Sequence, residues 1–228
     1  MPNAVQVESF SKPLDPRVRG YLHLPESSSG DALILTHGAG GNSQAPLLRA
    51  LADTFAEACF TVLRCDLPYR QARSFGPPGP ADAARDRDGL RNAIAEMKKL
   101  AQGRIFLGGH SYGGRQSSML CAELSKDAPD LVAGLLLLSY PLHPPRRPEQ
   151  QRTQHLPDLH TATLFVHGTR DPFGAVEELQ RAIKMIPAAT KLVTVEGTGH
   201  DLGFKGKARA EDLPRAILRE FQTLLEGK

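Results

Sequence analysis

The chain has 228 residues, 40% hydrophobic and 23% charged, which suits one globular α/β domain with a full-sized core. A formal net charge of +3 is mildly basic, and no run of Lys and Arg concentrates it, so nucleic acid is not expected as a partner. Cys59, Cys65 and Cys121 are an odd number without metal-ligand spacing; this argues against a disulfide framework or a zinc site and fits free thiols in a reducing compartment.

The first residues, Met1 to Glu8, have neither a basic stretch nor an apolar one. No apolar run approaches membrane-spanning length, so a soluble cytoplasmic protein that does not enter a membrane is expected. Val5 to Phe10 and Val18 to Leu24 read as two strands, with Pro13, Asp15 and Pro16 turning between them. Ala32 to Thr36 is a continuous apolar run, the pattern of a strand buried on both faces. His37-Gly-Ala-Gly-Gly-Asn42 follows it at once. Leu47, Leu48, Leu51 and Phe55 then recur at helical spacing.

Phe60 to Arg64 is the next strand, left through Cys65-Asp-Leu-Pro-Tyr-Arg70. Ser74 to Pro80 is a stiff loop that serves either as a connector or as one wall of a pocket. Leu90, Ile94, Met97 and Leu100 mark an amphipathic helix. Arg104 to Leu107 is a strand, Gln116 to Ser125 a helix, and Gly134 to Ser139 another buried strand. Tyr140 to Leu159 is too short for a cap domain. Ala162 to Val166 is a strand, followed by a helix with Val176, Leu179, Ile183 and Ile186 on one face. Lys191 to Val195 is the last strand. The closing helix has Pro214 in its first turn and Leu213, Ile217, Leu218, Phe221, Leu224 and Leu225 inward. Strands alternating with helices predict a single domain over residues 1–228, built on a mostly parallel sheet with helices on both faces.

Between the strand at Arg104 and the helix at Gln116 stands Gly109-His-Ser-Tyr-Gly113, which fits G-x-S-x-G. A serine at the apex of a strand-to-helix turn is held in a strained backbone conformation with its hydroxyl over the end of the sheet. Loops that follow parallel strands emerge at one edge. Ser111, Asp171 and His200 each follow a strand, so they can meet there, in the order Ser, Asp, His. A serine hydroxyl is a poor nucleophile at neutral pH; an imidazole can take its proton, and a carboxylate fixes the imidazole tautomer. The backbone N–H groups of Tyr112 and Ala39 are the expected donors to a developing oxyanion.

Other roles compete at each position. Asp171 can instead cap a helix, with Asp66 as the rival carboxylate. His37 is read as holding the Gly-rich loop in shape, His110 as packing or lining the site floor, and Asp201 as structural. Arg115 either fixes the turn or faces an acidic substrate. Phe75, Tyr112, Tyr140, Leu142 and Phe173 are candidate substrate-binding walls, with a core role equally open for several.

The set His37-Gly-Ala-Gly-Gly41, Gly109-His-Ser-Tyr-Gly-Gly114, His167-Gly-Thr-Arg-Asp171 and Gly199-His200 resembles the α/β-hydrolase superfamily from about Ala32 onward. It is most similar to the small uncapped members related to dienelactone hydrolases. The resemblance implies an α/β-hydrolase fold with a sheet of about eight strands and no cap. Dienelactone hydrolases carry a cysteine nucleophile where this chain has Ser111, so their substrate does not transfer. Ser139-Tyr-Pro-Leu-His-Pro-Pro145 and Gly168 to Gly174 also resemble the hydrolase-like domain of a chromatin-complex subunit, which leaves a binding or scaffold protein as the alternative. The leading expectation is a serine hydrolase acting on a small-molecule ester, thioester or related acyl compound, with no metal or organic cofactor.

Overall fold

The computed structural model describes residues 4–204 and 212–226. Its strands are β1 (Val5–Lys12), β2 (Val18–Pro25), β3 (Ala32–Thr36), β4 (Thr61–Cys65), β5 (Ile105–His110), β6 (Gly134–Leu138), β7 (Thr163–Gly168) and β8 (Thr190–Val195). They form one sheet in the order β1-β2-β4-β3-β5-β6-β7-β8. β1 and β2 form an antiparallel hairpin, and β2 joins β4 antiparallel; from β4 to β8 every pairing is parallel. With its helices, this is the α/β-hydrolase fold, and among the described residues no cap covers it.

The parallel strands are apolar throughout because both faces of the sheet are covered. Every residue of β3, β4 and β6 is buried. Alternation along a strand sends neighbours to opposite faces. Leu33 and Leu35 pack with α1 (Pro46–Glu57) and α6 (Leu213–Glu226). Ala32 and Ile34 pack with α3 (Asp82–Leu100) and α4 (Tyr112–Leu124). On the first face, Phe106 and Phe221 meet edge-on at 5.4 Å, with Phe55 and Phe221 at 5.9 Å. Each such side chain contributes about 1.5–3 kcal/mol by leaving water. Of the residues expected inward on α6, Leu213, Ile217, Phe221 and Leu225 are buried, and Leu218 and Leu224 are partly so.

Three local features differ from the sequence reading. β5 continues past Leu107 to His110, and α4 begins at Tyr112 rather than Gln116. The whole reversal is made by one residue, Ser111, so no room is left for a longer turn. The short helix α2 (Pro68–Ala72) was not expected. Five residues show no period; Pro68 starts it and the Asp86 carboxylate accepts the Tyr69 N–H. Between β6 and β7 the chain forms loops and one 3₁₀ turn, Leu156–Asp158. The remaining helix, α5 (Val176–Ile183), packs beside β8.

Candidate active site

Ser111 has φ 52° and ψ −116°, a conformation that costs on the order of 1–3 kcal/mol. The fold holds it there from both sides. Its N–H donates to the Leu138 carbonyl at 2.8 Å, and its carbonyl accepts from Arg115 N–H at 2.9 Å. The flanking glycines are steric necessities. A Cβ on Gly109 would lie 2.7 Å from the Thr36 carbonyl oxygen, and one on Gly113 would lie 2.5 Å from the His37 carbonyl oxygen. The first turn of α4 thus rests directly on the end of β3.

Asp171 leaves β7 and His200 follows β8. Their loops are tied by Arg170 N–H to the Thr198 carbonyl at 2.9 Å and Gly197 N–H to Thr169 Oγ1 at 2.9 Å. The Asp171 carboxylate is fully buried. Oδ1 accepts the Phe173 N–H at 2.9 Å, so it does not cap α5, and Oδ2 lies 2.8 Å from His200 Nδ1. Only a protonated Nδ1 can bond a carboxylate, which leaves Nε2 as the acceptor. Nε2 lies 2.8 Å from Ser111 Oγ. Two further residues hold His200. Phe173 stacks on it at 4.2 Å and 31°, His110 lies at 5.1 Å, and His110 Nε2–H donates to the His200 carbonyl at 2.7 Å. Hydroxyl, imidazole and carboxylate in this series can move a proton off the serine.

Opposite them lies the Gly-rich loop after β3. His37 is buried, with Leu67 N–H donating to Nε2 at 3.1 Å and Nδ1–H donating to the Gly38 carbonyl at 2.9 Å. Burial holds its pKa below the ordinary value, outweighing the Gly38 carbonyl and Asp66, which raise it. His37 is therefore a neutral strut. The Gly38 carbonyl also accepts from Gly41 N–H and from the Tyr69 hydroxyl. A trans peptide points its N–H away from its C=O. The Gly38 carbonyl is held inward by these donors, and Ala39, the next residue, lines the cavity. Tyr112 N–H opens α4, so the helix supplies no carbonyl for it. The Tyr112 side chain points back into the protein, its hydroxyl donating to Asp86 at 2.7 Å. Burial raises the pKa of Asp86 above the usual carboxylate value. Asp66, the rival carboxylate, accepts Ser43 N–H at 2.7 Å and pairs with Arg19 at 3.1 Å. It anchors the base of the loop.

These groups open on a cavity of about 300 Å³. Leu47, Leu48 and Phe204 give it an apolar side, and Asp201 is the one carboxylate among its described lining residues. Phe173 and His110 line it as well. Three other candidates do not reach it. Phe75 is 83% exposed, on the loop between α2 and α3. Tyr140 is 1% exposed because it packs edge-on against Phe165 and donates to the Arg152 carbonyl. Arg115 points along α4 to the Tyr140 hydroxyl and His155, whose pKa burial pushes down to about 4 with Arg115 adding to the shift. Leu142 is fully buried. Sequence reasoning placed Leu47 and Leu48 only in the core and passed over Phe204. Leu47 and Leu48 do follow the Gly-rich loop at the sheet edge, a usable signal for a lining role. The cysteines Cys65 and Cys121 are buried, which pushes both thiols up to about 12. Among the described residues, no helix is long and apolar enough to cross a membrane, and no group of three His, Cys, Asp or Glu is placed to hold a metal.

A doubly wound sheet with a strained serine at a strand-to-helix turn, and an imidazole and carboxylate from two later strand ends, defines a class of hydrolase. The chain belongs to the alpha/beta hydrolase domain family, whose pattern it matches over residues 29–221. Its fold is similar to that of the dienelactone hydrolase from Anabaena variabilis, with a TM-score of 0.72 at 19% identity over 97% of this chain and 96% of that one. Est1E from Butyrivibrio proteoclasticus superposes with a TM-score of 0.72 at 20% identity, over 96% of this chain and 99% of the other. An alpha-beta serine hydrolase homologue from Coxiella burnetii gives 0.64 at 17% identity, over 96% of each chain.

Proposed function

We propose that the chain is a serine hydrolase that cleaves small, largely apolar acyl esters or thioesters through an acyl-enzyme on Ser111. The observation that carries this reading is the unbroken series Ser111 Oγ, His200 Nε2, His200 Nδ1, Asp171 Oδ2, with 2.8 Å at each hydrogen bond, opening on an apolar cavity. The substrate carbonyl enters beside Ser111 with its acyl group against Leu47, Leu48 and Phe204. His200 Nε2 takes the hydroxyl proton as Oγ attacks the carbonyl carbon. Asp171 stabilises the imidazolium without taking the proton. The N–H groups of Tyr112 and Ala39 receive the oxyanion, and the intermediate collapses as His200 returns the proton to the leaving group. Water then enters, gives a proton to His200 and attacks the acyl-enzyme, and the acid leaves with Ser111 restored.

Substrate charge follows from the lining. Leu47, Leu48 and Phe204 make one side of it apolar, and Asp201 is the carboxylate among its described lining residues, so a neutral acyl group is favoured over a carboxylated one. The small volume favours short chains, at the lower end of what ligand cavities enclose. The test is a panel of p-nitrophenyl esters of increasing chain length with wild type and Ser111→Ala. Wild type should prefer short chains, and the variant should lose about 10⁴–10⁶ in kcat. Turnover by Ser111→Ala at the wild-type rate contradicts the reading.

A further inference from the structure

The Gly-rich loop is held by a guanidinium that the mechanism above does not use. Arg70, on α2, is 5% exposed. Its Nε–H donates to the Gly41 carbonyl at 2.8 Å, and Nη2 donates to the Ala39 carbonyl at 3.0 Å and the Gly76 carbonyl at 2.9 Å. Nη1 donates to the Arg73 carbonyl at 3.3 Å. Among the described residues, four backbone carbonyls accept from this buried cation, and it also lies over the Tyr69 ring at 5.0 Å. Burying a charge is costly unless its donors are satisfied, and this fork is satisfied largely by the loop it holds. Two of its acceptors, Ala39 and Gly41, lie two residues apart on the loop that lines the cavity. Only a planar fork with several fixed donors can hold both at once.

We infer that Arg70 is a positioning residue for the proposed hydrolysis: its fork holds the Ala39 and Gly41 carbonyls, so that neither turns toward the oxyanion that the Ala39 N–H is proposed to receive. The Tyr69 hydroxyl, 2.9 Å from the Ala39 carbonyl, works beside it. Both residues are placed by α2, whose first turn is anchored where Asp86 accepts the Tyr69 N–H. Asp86 also holds the Tyr112 hydroxyl, so one buried carboxyl ties the two sources of oxyanion donors together. Without the fork, the peptide after Ala39 is free to turn its carbonyl into the cavity, where it would repel the negative charge that develops there. The positive charge behind the loop acts in the same sense: Arg70 is among the groups that keep His37 neutral. The stiff Ser74 to Pro80 stretch thereby gains a role, since the Gly76 carbonyl backs the guanidinium from the other side.

This inference rests on the serine hydrolase reading, and the experiment separates the two. Wild type, Arg70→Met and Arg70→Lys are compared for p-nitrophenyl ester turnover, for inhibition by an alkyl boronic acid that forms a tetrahedral anion on Ser111, and for melting temperature. Arg70→Met should lose about 100-fold in kcat, and Arg70→Lys, which keeps the charge and the stem but not the fork, about tenfold. KM should move less than about threefold, and the boronate should weaken in step with kcat, since both report the tetrahedral anion. Because the lysine variant is the conservative one, it decides the matter if the methionine variant does not fold. Wild-type kcat in folded Arg70→Lys, or a loss confined to KM, overturns the inference alone. A wild type that neither turns over esters nor binds the boronate overturns the hydrolase reading and this inference with it.

Discussion

Two cavities lie on either side of the loop formed by residues 38–46. One, of about 300 Å³, holds Ser111 and His200 at the carboxyl ends of the parallel strands. The other, about 620 Å³, is a polar crevice where β1 and β2 meet the same loop. The crevice is larger and richer in charge, yet its charged groups are paired already: Arg19 with Asp66 at 3.1 Å, Arg73 with Asp82 at 2.6 Å, and Arg70 with carbonyls. The smaller cavity ends in a serine hydroxyl whose proton has an acceptor and whose surroundings are apolar. Volume alone therefore does not locate chemistry. Position at the ends of parallel strands, and a proton with somewhere to go, do so.

The sharpest way to break this contrast is to disarm one side at a time. Asp171→Asn keeps the shape but presents the wrong hydrogen-bond partner to His200 Nδ1, so kcat/KM should fall about 10⁴-fold. Arg19→Ala on the crevice side removes a pair that is half open to solvent and should leave kcat/KM within about twofold. Comparable losses in both variants, measured on one ester, would erase the distinction.

A smaller effect separates the two regions by pH. His23, on β2, is 1% exposed and accepts from Arg64 Nε–H at 2.8 Å. Burial first, and Arg64 second, push its pKa from 6.5 down to about 4. Between those values the unfolded chain binds a proton that the folded chain does not. The stabilisation is complete above pH 6.5 and is lost as the pH falls toward about 4. Melting temperature should therefore drop between pH 7 and pH 5, and His23→Gln should flatten that drop while leaving the pH profile of turnover unchanged. Equal slopes in variant and wild type would place the proton uptake elsewhere.

The sequence made the serine turn legible because its requirements are local. Gly109 and Gly113 stand beside the residue they make room for, and the strand before them is uniformly apolar. The alternation of strands and helices made the parallel sheet legible for the same reason. Side-chain direction was not legible. Tyr140 follows a strand at the functional edge as Asp171 does, but Ser139, at φ 49°, turns the chain so that the ring enters the core. Phe75 carries an aromatic ring that no neighbour claims. The work of Tyr69 and Arg70 was hidden too, because their contacts to the Gly-rich loop span about thirty residues and only α2, too short to show a period, aims them.

The account stands on a reactive Ser111, and covalent labelling reads that directly. Folded wild-type protein treated with a fluorophosphonate and mapped by peptide mass should carry one adduct, on Ser111, and denatured protein should carry none. An unmodified Ser111 in folded protein, or an adduct on another residue, would contradict it.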